Sequence, residues 1–478
     1  MANIFICFEM VYHNLNNRQH VCTWLSNVLI FVILCIIVVY MPATDINFTI
    51  IYLTQFFCGL YLLWQSTSHR LTPFILLYFS SGLFLGGQFF AHLLDVNCEL
   101  WQKTFFQTYS IIDEERAKET TIYLISFTSI STFAYTRKKL NRRTLFNSES
   151  LSKVEGIRRF LSILFWFLLV SILIDSIIAF QRVLQYGYVS LYVASQNEEF
   201  QSNGIFYILR FVCFGLAFAY GDTKLQKRYV IMFIINATIG ILIGGRGAFG
   251  ALLLFSVWMY SLKHKLKLKK MLLSFILCGG VLISVFSFSI RGKNDLQYSG
   301  NALEIASTFL SEQGVSLVVF DLSRSIEDYP ILPYFQSIIP MSSRIYSIVS
   351  GEILYQEDVS FQAHMNKSVN QRLFASGAGL GWSILSDVYL FSGRSFFIYC
   401  ILSYLFGWVC RFLEEKAQTS AFAKGILFTI IFPLIMLPRS NLSTVMPLII
   451  YYAIICGFLF LIQNSMVRYT KHPRKIIV

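Results

Sequence analysis

Long apolar runs constrain this chain more than any other feature of its sequence. Of its 478 residues, 55% are hydrophobic and only 14% are charged, whereas soluble domains carry about 25% charged residues. A hydrocarbon core about 30 Å thick takes about 20 apolar residues of helix to cross. About twelve such runs are present, at 22–40, 47–66, 71–93, 119–136, 160–180, 205–221, 229–245, 247–262, 271–290, 390–410, 425–438 and 443–463. The sequence therefore predicts an all-α fold, a polytopic bundle of transmembrane helices.

Basic segments between these runs predict how the bundle is oriented. Under the span count above, four of them fall on the same side of the membrane: 137–159, 224–228, 263–270 and 468–475. Short loops rich in Lys and Arg are retained in the cytoplasm. We therefore predict that both termini are cytoplasmic. The net charge of +13 is explained by this topology, so no nucleic-acid partner is expected.

This topology divides the chain into three regions. The predicted regions are an N-terminal membrane region of about nine spans at 1–290, a large periplasmic loop at 291–389 and a C-terminal membrane region of about three spans at 390–478. The loop has near-balanced charge, and helices are predicted within it at 302–310, 313–320 and 360–374. Its apolar stretch 331–335 is expected to lie near the membrane.

Three arginines stand at the ends of apolar runs, where an ionisable group is a candidate functional residue. They are Arg246, Arg291 and Arg439, and the topology puts all three on the periplasmic face. A guanidinium stays charged and presents a planar fork of donors that matches phosphate oxygens. Gly245 and Gly247 let the backbone around Arg246 approach a ligand closely. The alternative is that such arginines only reach lipid phosphates.

Two residues of the predicted loop are candidates for acid–base chemistry. His364 is the only histidine of the loop, and an imidazole can take a proton from a sugar hydroxyl near neutral pH. Asp387 follows the glycine-rich run 377–381. Lys293 and Arg344 are expected to bind sugar or phosphate beside the arginines. A lone histidine is more often structural, and the loop offers other bases: Asp321, Glu327, Asp328, Glu357 and Asp358.

The order and placement of these patches resemble the membrane polymerases of O-antigen and capsule repeat units, often called Wzy, and their relatives the O-antigen ligases. The resemblance covers the architecture of nearly the whole chain. At residue level it rests on four short patches, at 244–247, 291–292, 377–389 and 438–440. Asp387 stands where the family pattern leads us to expect Glu.

The resemblance implies a membrane glycosyltransferase of the GT-C type that uses no metal and no cofactor. Its donor is expected to be a glycan on undecaprenyl pyrophosphate and its acceptor a repeat unit on the same lipid, at the periplasmic face of the bacterial inner membrane. Arg246 and Arg291 would hold the pyrophosphate, and His364 would deprotonate the acceptor hydroxyl. Membrane lipids and a chain-length regulator are the further partners that the resemblance suggests.

Other functions remain open from the sequence alone. An O-antigen ligase would use the same chemistry with a lipid A core as acceptor, and only acceptor recognition separates it from a polymerase. A flippase or transporter of lipid-linked sugars places charges near the bilayer midplane, often in repeated halves. The clustering of charges on one face, beside a large loop and without a repeat, favours an enzyme. A structural scaffold would leave the arginines unexplained.

Overall fold

The computed structural model is a bundle of long helices with one short hairpin of strands. It describes residues 2–105, 108–111, 113–138, 155–187, 190–191, 204–245, 247–264, 266–287, 302–377 and 379–471. The N-terminal elements are α1 (Ala2–Tyr40), α2 (Asp45–Ser66), α3 (Pro73–Phe84), α4 (Gly87–Leu94), β1 (Gln102–Phe105), β2 (Thr108–Ile111), α5 (Glu114–Thr136), α6 (Glu155–Tyr186), α7 (Ile205–Tyr220), α8 (Thr223–Ile243), α9 (Gly247–Lys263) and α10 (Leu268–Ser287).

The C-terminal part of the chain alternates short helices with three long ones. Its elements are α11 (Ala302–Gln313), α12 (Ser316–Arg324), α13 (Leu332–Ile338), α14 (Ser342–Ser350), α15 (Gln356–Val359), α16 (Phe361–Val369), α17 (Gln371–Ala375), α18 (Ile384–Phe391), α19 (Phe396–Ala417), α20 (Ala421–Met436), the 3₁₀ helices Leu437–Arg439 and Leu442–Thr444, and α21 (Met446–Lys471). The helices predicted inside the large loop correspond to α11, α12, α16 and α17.

The predicted helical membrane fold is confirmed. Among the described residues, eight helices are long and apolar enough to cross a membrane, or nine if the bent pair α3–α4 is one span. Every predicted apolar run coincides with helix over most of its length, although α7 and α9 are shorter apolar helices. One candidate span, Leu303–Arg324, lies inside the predicted periplasmic loop. It packs against α3, α4 and α5, so this part of the loop belongs to the bundle.

Helix α20 occupies the centre of the bundle. It packs against α3, α7, α9, α19 and α21. Its aromatic rings stack on those of neighbouring helices, with ring centres 4.0 Å apart for Phe218–Phe428 and 4.8 Å apart for Phe233–Phe432. Helices in lipid gain little from the hydrophobic effect and associate through close van der Waals packing. These stacked rings supply such packing.

Contacts between helix ends distinguish the two ends of the bundle. At one end, Arg158 Nε donates to the Tyr220 carbonyl (3.0 Å) and Arg411 Nη2 donates to the Lys138 carbonyl (2.7 Å). We call it the basic end, since the predicted cytoplasmic segments after α5 and α7 meet there. Helix α20 begins beside this end, directly after α19, and leads to Arg439 at the opposite end, which we call the site end.

Candidate functional site

Three interruptions of helical structure meet at the site end. The pair α3–α4 is bent by 59°, α11 is separated from α12 by two residues, and α20 is followed by two 3₁₀ helices. The 3₁₀ helix Leu437–Arg439 packs against α3 and α18, and α11 packs along α4 and α3. Backbone that loses its helical partners inside a membrane protein is tolerated only where protein covers it or where it lines a cavity. A ligand site is therefore expected at these interruptions.

Arg439 lies among these interruptions. Its Nη1 donates to Gln313 Oε1 (2.8 Å) at the end of α11. Its guanidinium carbon is 5.7 Å from the centre of the Phe84 ring at the end of α3. A Cβ on Gly381 would lie 3.8 Å from Arg439 Cγ, so the glycine-rich loop passes the same side chain. One predicted site residue thus contacts all three interrupted segments and the loop.

Two glycines bring the α4 backbone into contact with the break between α11 and α12. A Cβ on Gly87 would lie 2.4 Å from the Leu310 carbonyl oxygen, and one on Gly314 would lie 2.3 Å from Gln88 N. These distances are too short for any other residue, unless the backbone shifts. Gln88 Nε2 also donates to the Gly314 carbonyl (3.2 Å). The contact holds the end of α11, and with it the amide that Arg439 binds.

The described residues on either side of Arg246 reach the same end. Gly244 ends α8 in the left-handed conformation (φ 119°), Gly245 follows, and α9 begins at Gly247. Helices α8 and α9 also pack against each other. A Cβ on Gly247 would lie 2.8 Å from Met436 Cε at the end of α20, directly before the 3₁₀ helix. Arg246 itself lies outside the described residues.

A small apolar cluster joins the segments that flank Arg246 to those that flank Arg291. It consists of Ile241 on α8, Leu282 on α10 and Phe309 on α11, with Phe249 of α9 packed against it. Arg291 and Lys293 belong to 288–301, which lies outside the described residues. Helices α10 and α11, the helices before and after these two residues, therefore meet α8 and α9 in one cluster.

Asp387 is fully buried in the first turn of α18. Its Oδ1 accepts from Trp382 Nε1 (2.8 Å) and its Oδ2 accepts from Leu442 N (2.6 Å). Burial raises the pKa of this carboxyl to about 7, and the two hydrogen bonds oppose the shift. The carboxyl joins the glycine-rich loop to the second 3₁₀ helix, two segments that adjoin Arg439.

A row of rings connects His364 to Asp387. The ring centre of His364 is 5.4 Å from that of Tyr329, and Tyr329 is 6.3 Å from Trp382, which donates to Asp387. His364 is half-buried on α16. The two predicted acid–base residues therefore belong to one cluster, with His364 as its more accessible member.

Amide side chains hold α16 against the glycine-rich loop. Gln362 Nε2 donates to the Leu380 carbonyl (2.9 Å), and Asn366 Oδ1 accepts from Leu380 N (3.1 Å). Leu380 directly precedes Gly381, which contacts Arg439. The helix that carries His364 is thus fixed to the loop that touches the arginine.

Two of the alternative bases form ion pairs with basic side chains. Buried Asp321 pairs with Arg116 (2.6 Å), and Glu357 pairs with Lys367 (2.7 Å). Arg344 is exposed on α14. Its assignment to substrate binding stays a prediction, as do the roles of His364 and the other predicted site residues.

The side chains that position Arg439 were not predicted from the sequence. Gln313 and Phe84 contact its guanidinium, and Gln88 braces the break beside it. The available signal was the pair Gly86–Gly87 near the end of an apolar run, because glycine-interrupted membrane segments often mark binding sites. The pairing with Gln313 has no signal in the sequence, since the two residues come from distant parts of the chain.

The described residues hold no cluster of metal ligands, and nearly the whole chain matches a known family. Within the part of the chain that the structure describes, no group of three or more His, Cys, Asp or Glu residues is placed to hold a metal ion. A family model described as "O-antigen polysaccharide polymerase Wzy" matches residues 23–472, nearly the whole chain. Neither the curated proteins nor the solved structures give a match.

Proposed function

The chain belongs to the O-antigen polysaccharide polymerase family, and we propose that it joins repeat units carried on undecaprenyl pyrophosphate. In this reaction the acceptor hydroxyl oxygen of one lipid-linked unit bonds to the anomeric carbon of the donor glycan. The bond from that carbon to the pyrophosphate breaks, and undecaprenyl pyrophosphate leaves. The hydroxyl proton passes to a base of the protein. A single displacement of this kind inverts the anomeric configuration.

One observation carries this proposal: the helices nearest in sequence to the three predicted arginines pack against one another toward the site end. Gly247 abuts the end of α20, next to the 3₁₀ helix of Arg439. The helices before and after Arg291 share an apolar cluster with α8 and α9, the helices on either side of Arg246. Convergent guanidinium groups suit a pyrophosphate, which has several oxygens and more than one charge.

Electrostatic stabilisation of the leaving group would supply much of the catalysis. Fixed donors aimed at developing negative charge are most effective where the surroundings exclude water. Arg246, Arg291 and Lys293 would bind the pyrophosphate together with Arg439, whose guanidinium donates to Gln313. The scheme, a GT-C-type transfer, needs no metal, since the arginines neutralise the charge that a cation otherwise would.

We assign the general base to His364 and a positioning role to Asp387. A sugar hydroxyl is a weak nucleophile and needs a nearby proton acceptor. His364 is the more accessible of the two, whereas both Asp387 oxygens already accept hydrogen bonds from Trp382 and Leu442. Asp387 is the alternative base if the aromatic row rearranges when substrate binds.

We further propose that the site end faces the periplasm and that both termini lie in the cytoplasm. Arg137 and Lys138 follow α5 at the basic end, and Lys224 lies at the start of α8. The positive-inside rule would retain such loops in the cytoplasm. Lipid-linked glycans and membrane lipids would then reach the site end, and a chain-length regulator would act from the periplasm.

In vitro polymerisation with purified protein and lipid-linked repeat units tests the proposal. We expect Arg246→Ala, Arg291→Ala and Arg439→Ala each to lower turnover about 10²–10³-fold, the usual effect of removing one transition-state donor. Arg→Lys should restore little, because lysine lacks the bidentate fork. Arg159→Ala is the matched control, since Arg159 is an exposed arginine paired with Glu155 near the basic end. Normal polymer length and amount in all three variants would reduce these arginines to lipid anchors.

The same assay identifies the base. His364→Ala should lower turnover about 10²–10⁴-fold and leave donor binding nearly intact. Loss of donor affinity together with turnover would move His364 to a binding role. Full activity in His364→Ala, with loss in Asp387→Asn, would transfer the base to Asp387.

A further inference from the structure

The helix pair α13–α14 presents an apolar surface that the described protein does not cover. Ile348 and Val349 near the end of α14 are 78% and 82% exposed. Phe335, Ile338 and Ile345 are also exposed on the same pair. Water-soluble surfaces rarely leave so many large apolar side chains together in water. Something apolar is therefore expected to cover this face.

Hydrogen bonds hold together the two helices that carry this apolar surface. Gln336 Oε1 accepts from Ser342 Oγ (3.0 Å), from Ser343 Oγ (2.9 Å) and from Ser343 N (3.2 Å). The Gln336 side chain on α13 thus satisfies the start of α14, where backbone N–H groups have no partner within the helix. Gly351 ends α14 in the left-handed conformation (φ 73°). The two helices consequently hold a defined angle, with their apolar side chains on the outside.

Helix α13 adjoins the start of a candidate membrane span. Helix α13 packs against the 3₁₀ helix Leu442–Thr444 and against α21. Both belong to the candidate span Leu442–Gln463, whose Ile454 and Phe458 are exposed as lipid-facing residues would be. The pair therefore adjoins one end of that span, where lipid would surround an exposed apolar surface.

We propose that α13–α14 is an interfacial anchor whose apolar face lies in the headgroup and acyl boundary of the leaflet around the site end. Amphipathic helices bury such a face about 5–10 Å into that boundary. Arg344 and Tyr346 are exposed on α14, and both residue types favour the headgroup region. A second copy of the chain or another protein is less favoured, because lipid already borders the neighbouring span.

The anchor would fix the rim of the candidate site. Helix α13 touches the 3₁₀ helix Leu442–Thr444, whose Leu442 N–H is held by Asp387. Lipid contact with α13–α14 would thereby set the height of the segment that follows Arg439. This inference rests on the membrane fold alone and does not depend on the polymerase chemistry.

Spin labels on the protein in nanodiscs of phosphatidylethanolamine and phosphatidylglycerol test the anchor. Labels at Ile348→Cys and Val349→Cys, with the native cysteines replaced, should collide with oxygen several-fold more than with a water-soluble nickel chelate. The matched control is Ser368→Cys, an exposed polar position on α16, where the nickel chelate should dominate.

Two outcomes would overturn the proposal. Nickel accessibility at both α14 positions equal to that at Ser368 would mean that the face lies in water. Exclusion of oxygen and nickel alike would mean that protein covers it. If the cysteine-free chain does not fold, a fluorescent amino acid incorporated at 348 and 349 in the native chain answers the same question. Quenching by brominated lipid supports the anchor, and quenching by iodide overturns it.

Discussion

At the residue scale, two buried acids accept backbone N–H groups where helices begin. Glu414 Oε1 accepts from Phe74 N in the first turn of α3 (2.8 Å), and Asp387 Oδ2 accepts from Leu442 N before α21 (2.6 Å). The first N–H groups of a helix have no partner within it, and in a membrane protein no water is at hand to replace that partner. Each carboxyl therefore anchors the start of a segment.

The raised pKa of Asp387 predicts a pH-dependent stability. The folded carboxyl keeps its proton up to about pH 7, whereas an unfolded aspartate loses it near pH 4. The folded state thus binds more protons between these values, and stability should fall as the pH rises from about 4 to about 7 and then level off. Thermal unfolding in detergent across that range measures the slope.

Asp387→Asn should remove this component of the slope and cost about 1–3 kcal/mol at low pH, because the amide cannot accept from both Trp382 and Leu442. Asp328→Asn, at an exposed carboxyl, should keep the wild-type slope. An unchanged slope in Asp387→Asn would show that this carboxyl is not the buried group described above.

At the element scale, glycines decide which helices touch. Helices α5 and α19 run side by side in the same direction, since Tyr399 contacts Tyr123 near one end and Arg411 lies over Tyr135 near the other. Between these contacts, a Cβ on Gly407 would lie 2.0 Å from the Ser131 carbonyl oxygen. Small residues permit such approach of helix backbones in membranes. The two helices would have to separate if residue 407 carried a side chain.

Gly407→Ala should therefore destabilise the protein by about 1–3 kcal/mol, the usual cost of overpacking. Gly457→Ala is the matched control in another long helix, α21, where a Cβ meets nothing within 4 Å. There the change should be neutral or stabilise by about 0.5–1 kcal/mol through helix propensity. Melting temperatures in one detergent compare the two. Equal stability of both variants would contradict the α5–α19 contact.

At the scale of the whole molecule, the basic residues that we predict to be cytoplasmic and the predicted site residues lie at opposite ends. The basic end gathers Arg158, Lys138 and Arg411 through contacts between loops and helices. The site end gathers Arg439, Asp387 and the cluster around His364. A bundle built this way has one end suited to retention in the cytoplasm and another suited to an anionic ligand.

Cysteine labelling in intact cells tests this arrangement. An impermeant maleimide added from the periplasm should react with Ser368→Cys on α16 and should miss Ser150→Cys in the basic segment after α5. Both positions should react once the membrane is permeabilised, which controls for accessibility. The opposite pattern in intact cells would place the arginines in the cytoplasm and remove the basis of the proposed reaction.

Much of the fold follows from short-range patterns. The length of the apolar runs predicted helices, and helices occupy them. These predictions succeed because each membrane segment must be long and apolar enough to cross the bilayer and must satisfy its own backbone hydrogen bonds. Both requirements can be read from each segment separately. The segment Leu303–Arg324 is the exception, because its mixture of polar and apolar residues resembles a loop helix until its neighbours cover it.

The sequence by itself determined that this chain is a helical membrane protein, which of its loops are basic, and that three of its arginines stand at the ends of apolar runs. Only the tertiary structure decided that Arg439 meets Gln313 and Phe84, that Asp387 holds Leu442, and that α13–α14 lies beside a span. The physical reason is separation along the chain. Hydropathy and charge act on each segment where it stands, whereas these contacts join distant segments, and their geometry depends on how every intervening helix packs.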